Sequence, residues 1–369
     1  MTDNHSPVDR RKALGVFSRA ALGAVALRTL GRSGDAAAQD IDIGIPVIDT
    51  QVYLVGRAPG IPGNHYESAV DEALETMDTL NFKRAIVMPP PFAINHLSLH
   101  DYDFFADILK VKADRFSYLG GGGQLNLIIQ QAVRTNAVSP ALKTDFEAKA
   151  RAILAAGSMG FGEIGLEQLS FNKDQPYVSA PPDHPLVTQL ADIAAESGVP
   201  MMVHMEAVVK EYTLAKVWAA RTPNNPESLP ANIEEFKKLL GANRKANIIW
   251  ANTGWDNTGQ RTPELLRELL AANPNLYMSI RIDRLSVAAT RPLDNNSRLK
   301  PEWLKLLGDF SDRFMIGSGH QHMAAAFRLR KLPKSTETRS LIAQLPPELA
   351  AKIAHGNAAR LFKLPTYKA

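Results

Sequence analysis

From residue 46 onward, short and almost continuously apolar runs alternate with longer segments whose apolar residues recur every three or four positions. The runs are PVIDTQVYL (46–54), RAIVMP (84–89), FSYLGG (116–121), MGFGEIG (159–165), PMMVH (200–204), NIIWA (247–251), NLYMSIRI (275–282) and RFMIG (313–317). Near-continuous apolar character is what parallel strands need when both faces are covered. The longer segments read as helices. YESAVDEALETMDTL has the three- and four-residue spacing of an amphipathic helix. DHPLVTQLADIAAESG stops on Gly198, and TPELLRELLAANP offers Thr262 as N-cap, Pro263 in the first turn and Pro274 beyond the end.

Repeated strand–helix units predict an α/β fold of parallel strands joined by right-handed crossovers. A closed (β/α)8 TIM barrel and a doubly wound open sheet both satisfy this. The count of eight units favours the barrel, as one domain over 39–369 behind a signal segment over 1–38. The open sheet usually places a glycine-rich phosphate turn after its first strand. Here the glycine cluster, Gly120-Gly121-Gly122-Gly123, follows the third run without a lysine, and reads as a flexible mouth loop.

Barrel active sites lie at the C-terminal ends of the strands. The polar residues there are Gln51, Tyr53, Glu163, His204, Asn252, Arg281, Asp283 and the run Gly319-His320-Gln321-His322. Several unrelated strands thus direct polar groups toward one opening, a stronger sign than any single histidine.

Composition alters this picture in three places. The formal charge of +4 comes mostly from the first 38 residues, which hold six basic and three acidic side chains. The remainder carries 36 basic against 35 acidic residues, so no basic stripe exists for nucleic acid. The leading segment has Arg10-Arg11-Lys12, a weakly apolar stretch and Ala36-Ala37-Ala38, the order of an export signal of twin-arginine type. It predicts a periplasmic protein with no membrane contact once the signal is removed, since no later stretch reaches the ~20 apolar residues of a membrane span. Cysteine is absent, which rules out disulfides and thiolate chemistry. A homo-oligomer is compatible with all of this.

Five segments resemble the amidohydrolase-related family of metal-dependent hydrolases and decarboxylases. IPVIDTQVYL resembles its first strand, MMVH its fifth, NIIWANTG its sixth, RFMIGSG its eighth and GNAARLFKL (356–364) its closing helix. The resemblance covers residues 46 to 364 and implies the barrel fold. It also implies one metal ion, held by two first-strand histidines, a fifth-strand histidine and an eighth-strand aspartate, with a sixth-strand histidine beside it. Those positions here hold Gln51 and Tyr53, His204, Gly319 and Asn252, so His204 alone is kept. Neutral amides and a phenol are weak zinc ligands, and one imidazole cannot supply the binding of three or four. No metal and no other cofactor is therefore expected; were an ion bound, it would be one divalent ion such as zinc near His204. His320 and His322 read as a solvent-facing loop rather than a replacement site.

The expected function is hydrolysis of a small ester, lactone or carboxylic-acid substrate without the family's metal. His204 is the expected base and Glu163 its orienting partner, with Tyr53 and Asn252 as hydrogen-bond donors. Arg281 either holds a substrate carboxylate or pairs with Asp283 or Glu163. Trp255 is expected as an aromatic wall and Asp256 as a second acid, and Gln51 and His320 complete the substrate-binding set. Two other outcomes stay open: a metal-independent lyase or decarboxylase, and a barrel that binds small molecules, or serves as a subunit, without catalysis. His65, His96 and His100 are expected in mouth loops, and His184 and His355 at helix ends.

Overall fold

A computed structural model of the protein describes residues 44–57, 61–94, 96, 98–171, 177–221, 225–284, 286–327 and 336–367. The export signal expected over 1–38 lies outside them. Among the described residues the strands, in chain order, are β1 (Val47–Val55), β2 (Phe82–Val87), β3 (Phe116–Tyr118), β4 (Gly120–Gly121), β5 (Phe161–Gln168), β6 (Val178–Ser179) and β7 (Met201–Met205). They continue with β8 (Tyr212–Thr213), β9 (Ser228–Leu229), β10 (Ile248–Thr253), β11 (Leu276–Ile280), β12 (Phe314–Ile316) and β13 (His320–Met323).

Each apolar run of the sequence becomes a strand, and helices intervene. The main sheet runs β3-β2-β1-β12-β11-β10-β7-β5-β4, with every neighbour along this path parallel. Its two ends, β3 and β4, are separated by Leu119 alone. The Leu119 N–H donates to Val87 O on the β2 side at 2.9 Å, and the Gly120 N–H donates to Gly160 O on the β5 side at 3.4 Å. The third run thus divides between two neighbours, and the parallel sheet is strongly curled.

Alternation along the strands sorts side chains between two packing clusters. Ile48, Tyr53, Ile86, Met88, Leu119, Met202, Ile249, Ala251, Tyr277 and Met315 pack together on the inner face. Ala358, Ala359, Leu361 and Phe362 of the last helix close this inner cluster. Asn357 docks that helix, its amide donating to Ser311 O and Phe314 O at 2.8 Å each. Val47, Val52, Leu54, Val87, Val203, Met205 and Trp250 face the surrounding helices on the outer side.

Helix ends follow the punctuation. Thr262 accepts from Leu265 N with Pro263 in the first turn, His184 accepts from Leu186 N, and Gly198 closes its helix at φ 63°. Two expectations are overturned. Gly120-Gly121-Gly122-Gly123 is no flexible loop. Its first two residues form β4, and the N–H groups of Gly121, Gly123 and Gln124 all donate to the buried Asp101 carboxylate. A Cβ at Gly123 would lie 2.0 Å from His100 O, so only glycine allows this approach. His320 and His322 are likewise not in a solvent-facing loop but on β13, which extends the pairing of the eighth run along β1.

Candidate active site

Four strand ends converge on one carboxylate. Glu163 of β5 is fully buried and accepts four hydrogen bonds. Tyr53 Oη donates to Oε2 at 2.5 Å, and Gln51 Nε2, Asn252 Nδ2 and His204 Nδ1 lie 3.1, 3.3 and 3.1 Å from Oε1. Gln51 and Tyr53 share a face of β1 because strand side chains alternate, and the same period brings His204 inward behind Met202. Asn252, one residue before the end of β10, stands at φ 60°, a left-handed conformation that asparagine tolerates, and its carbonyl accepts from Trp255 N at 2.9 Å.

The histidine tautomer follows from its partners. Nδ1 lies 3.1 Å from the Glu163 carboxylate and 3.2 Å from the Asn252 amide nitrogen, and one Nδ1 cannot both donate and accept. Asn252 Nδ2 has Glu163 Oε1 as another acceptor, whereas the carboxylate only accepts, so the proton belongs on Nδ1. That leaves Nε2 with a free lone pair, and it makes no hydrogen bond to a described residue.

Around this centre the charges are deliberate. Burial first, then the Glu163 charge and its hydrogen bond, hold the Tyr53 hydroxyl well above the ordinary tyrosine range, so it remains a neutral phenol. Its hydrogen is committed to Glu163, which corrects its expected role as a donor to substrate. Gln51 Nε2 has Tyr53, Glu163 and Asn252 as acceptors, while Gln51 Oε1 is buried and without a partner among the described residues. Arg281 stands at the rim. Its guanidinium carbon lies 3.9 Å from the Trp255 ring centroid, Nη1 is 3.4 Å from Asn252 Oδ1, and Nη2 is 3.5 Å from Asp283. Of its two expected partners, Asp283 is therefore the one in contact, and at a long distance. Phe171 stacks on Trp255 at 5.1 Å, and Trp255 stands edge-on to His204 at 6.3 Å.

Gly319 accounts for the space Arg281 occupies. At φ 67°, a Cβ there would come within 2.9 Å of Arg281 Cδ and Nε. The glycine therefore makes room for a cation.

Two expected site residues lie elsewhere. His320 pairs in register with Val52, an outer-face residue, and parallel partners point the same way. Its ring stacks on Phe82 at 6.3 Å, away from Gln51 and Tyr53. Beside it His322 bonds Glu72 through Nδ1 at 2.6 Å. Asp256 is no second acid. Its Oδ1 accepts from Thr258 N and Oγ1 at 3.0 Å and its Oδ2 from Arg261 N at 3.1 Å, so both oxygens brace their own loop.

Other residues matter that sequence reading passed over. Arg261 is buried and donates to Ala251 O, Asn252 O and Met205 O, tying together the strand ends that present His204 and Asn252. Beyond His204, Glu206 and Glu167 form a second carboxylate layer. Glu206 follows the last residue of β7, and Glu167 lies past a register shift in β5, so strand alternation did not announce either.

Comparison with other proteins adds the following. No family model matches the chain, and no curated protein does. Among solved structures, the chain is similar to 2,6-dihydroxybenzoate decarboxylase from Rhizobium at 13% identity, covering 86% of this chain and 99% of that one, with a TM-score of 0.46. It is similar to 5-carboxyvanillate decarboxylase from Sphingomonas paucimobilis at 12% identity, over 87% and 100%, with a TM-score of 0.42. A third is amidohydrolase 2 from Bifidobacterium longum subsp. infantis, at 13% identity over 87% and 100%, with a TM-score of 0.44.

The metal ion implied by the sequence resemblance does not fit these side chains. Tyr53 stays protonated, Asn252 Oδ1 already accepts from Gln51 and lies against a guanidinium, and the place of an acid at 319 is filled by Arg281. Among the described residues, no group of three or more His, Cys, Asp or Glu is arranged to hold an ion.

Proposed function

We propose that the protein is a hydrolase of small esters or lactones bearing a carboxylate, working without a metal ion. The curled sheet is, in this reading, a closed eight-stranded barrel, with β3 and β4 together as its third stave. The observation that carries the function is the His204–Glu163 pair at 3.1 Å, which leaves Nε2 as an oriented base. Nε2 takes a proton from water, the water oxygen bonds to the ester carbonyl carbon, and the C–O bond to the leaving group breaks. Gln51 Oε1, a buried acceptor without a partner, supports a hydrogen-bond donor such as that water. Arg281 receives the substrate carboxylate, and Trp255 with Phe171 lines the remainder. Asn252, whose amide contacts are long at 3.2 and 3.3 Å, is free to turn toward the developing oxyanion.

The test is hydrolysis of 4-acetoxybenzoate, an activated ester carrying an acid on a rigid ring, by protein purified without an affinity tag and assayed with and without chelator. Turnover that survives chelator and is lost in His204→Ala supports the reading. Stoichiometric bound zinc, or turnover unchanged in both His204→Ala and Tyr53→Phe, overturns it. Binding of the ester without turnover selects the non-catalytic alternative. The leading segment supports work in the periplasm, and cell fractionation checks that separately.

A further inference from the structure

Trp255, expected as an aromatic wall for substrate, has neither face open. The Arg281 guanidinium carbon lies 3.9 Å from its ring centroid, and the Phe171 ring stacks on it at 5.1 Å with an interplanar angle of 24°. Both groups stand over the indole, and at these separations two groups cannot share one face, so they take opposite ones. His204 is left with the edge: its ring centroid lies 6.3 Å from that of Trp255, with the two planes at 83°. Trp255 thus divides the space beside the histidine, with a cation on one side and a phenyl ring on the other. The cation side is tied to the centre, since Arg281 Nη1 lies 3.4 Å from Asn252 Oδ1 and Asn252 Nδ2 lies 3.2 Å from His204 Nδ1.

The phenyl side leads outward. Trp255 is 7% exposed, whereas Phe171, which follows β5, is 37% exposed. Trp218 of the helix Lys216–Arg221 stands edge-on to Phe171 at 5.3 Å. It packs in turn on a small apolar cluster of Leu169, Val208, Leu214 and Leu229, separate from the main core. Phe171 and Trp218 form an aromatic corner that is open to solvent and continuous, through Trp255, with His204. A lone exposed apolar side chain is ordinary, but this one is flanked by two tryptophans and joined to a buried base.

We propose that Phe171 and Trp218 form the second half of the binding site and so fix its substrate class: an ester with a carboxylate on one side of the ester bond and an apolar ring on the other. The proposal rests on the hydrolase reading above and narrows it. With the ester group at His204, against the edge of Trp255, one half of the substrate lies on the Arg281 side and the other on the Phe171 side. A carboxylate suits the first half, where a guanidinium replaces its water. On the second it would give up water against aromatic carbon, whereas an apolar ring gains by leaving water there. 4-Acetoxybenzoate fills the first half and carries only a methyl group on the second.

Three carboxylate-bearing esters separate this arrangement from general hydrophobicity. 4-Benzoyloxybenzoate has its extra ring across the ester bond from the acid, 4′-acetoxybiphenyl-4-carboxylate has it on the same side, and 4-acetoxybenzoate has none. The benzoyl ester is less reactive in itself, which enters kcat, so KM is the quantity read. For the full chain, KM for 4-benzoyloxybenzoate is expected to be lower than for 4-acetoxybenzoate by about 10-fold or more, as burial of a phenyl group implies. The biphenyl ester is expected to gain nothing. Phe171→Ala is expected to erase the 10-fold advantage, and Phe171→Tyr, which keeps the ring, to retain most of it. Equal KM values for the two-sided and one-sided ring esters in the wild-type protein overturn the proposal and leave the hydrolase reading standing, a comparison that needs no variant to fold. An advantage that survives Phe171→Ala does the same. No turnover of any of the three esters by the wild-type protein overturns both.

Discussion

Strand β1 has a polar cluster on each side, and the two differ by a single step along the chain. On the inner face Gln51 and Tyr53 meet Glu163, Asn252 and, through the carboxylate, His204. On the outer face, beneath the helix Tyr66–Thr79, His320 and His322 extend from positions paired with Val52 and Leu54, and His322 bonds Glu72. Both clusters are buried and both contain a histidine beside a glutamate. The inner one adds a buried amide oxygen without a partner among the described residues, Gln51 Oε1, and a guanidinium over the Trp255 ring. A His–Glu pair is thus not in itself a catalytic sign; the face of the strand decides whether it meets substrate or holds a helix.

The largest effect that separates the faces is kinetic. Glu163→Gln should lower kcat/KM for 4-acetoxybenzoate by about 1000-fold, since it removes the negative charge and replaces one accepting oxygen with an NH2 donor, so the His204 tautomer is no longer fixed. Glu72→Gln should leave turnover unchanged. A comparable kinetic loss in Glu72→Gln would erase the distinction between the clusters. Stability reverses the order. Glu72→Ala leaves His322 buried without its partner and should cost about 2 kcal/mol in urea unfolding.

Gly319 stands between the two clusters, and its replacement probes both. Gly319→Ala places a β-carbon at a left-handed φ, worth about 1–2 kcal/mol, and against the Arg281 side chain. The displaced guanidinium should raise KM for 4-acetoxybenzoate more than it lowers kcat. An unaltered KM would remove Arg281 from substrate binding.

The smallest contrast lies in acid–base stability. Burial, with the His322 and Arg281 charges, lowers the His320 pKa to about 4. Between pH 6.5 and 4 the unfolded chain takes the proton first, so the outer cluster's contribution to stability falls as pH drops through that window. Glu167 of β5 has the opposite sign. With its carboxyl pushed up to about 7 by burial, the folded state binds the proton more tightly between pH 4.5 and 7, and stability falls as pH rises. Thermal midpoints across pH should flatten on the acid side in His320→Gln and on the neutral side in Glu167→Gln; parallel curves would contradict both.

Much of the architecture was legible because burial on both faces writes itself as uninterrupted apolar runs. Gln51, Tyr53, Glu163, His204 and Asn252 were legible as a set because each stands at or near the end of such a run, and the structure brings all five together. His320 was not, because its face depends on how the turn at 317–319 hands the chain from β12 to β13, and a one-residue change in that turn would reverse it. Asp256 misled for a different reason: a short loop with Thr258 and Arg261 offered its carboxylate nearer partners than any substrate. Glu167 and Glu206 were not legible, because a register shift in β5 precedes the first and the second lies beyond the end of β7.

The seat of Asp101 bears on how this chain can drift over generations. One carboxylate is satisfied by the main-chain N–H groups of Gly121, Gly123 and Gln124; a side chain at 123 would collide with His100 O, and one at 121 would stand at a left-handed φ of 109°. Neither partner can be exchanged alone, since a new aspartate substitute loses the amides and a new residue at 123 expels the carboxylate. Asp101, Gly121 and Gly123 should therefore be inherited together or lost together, although 20 residues of chain separate the first two.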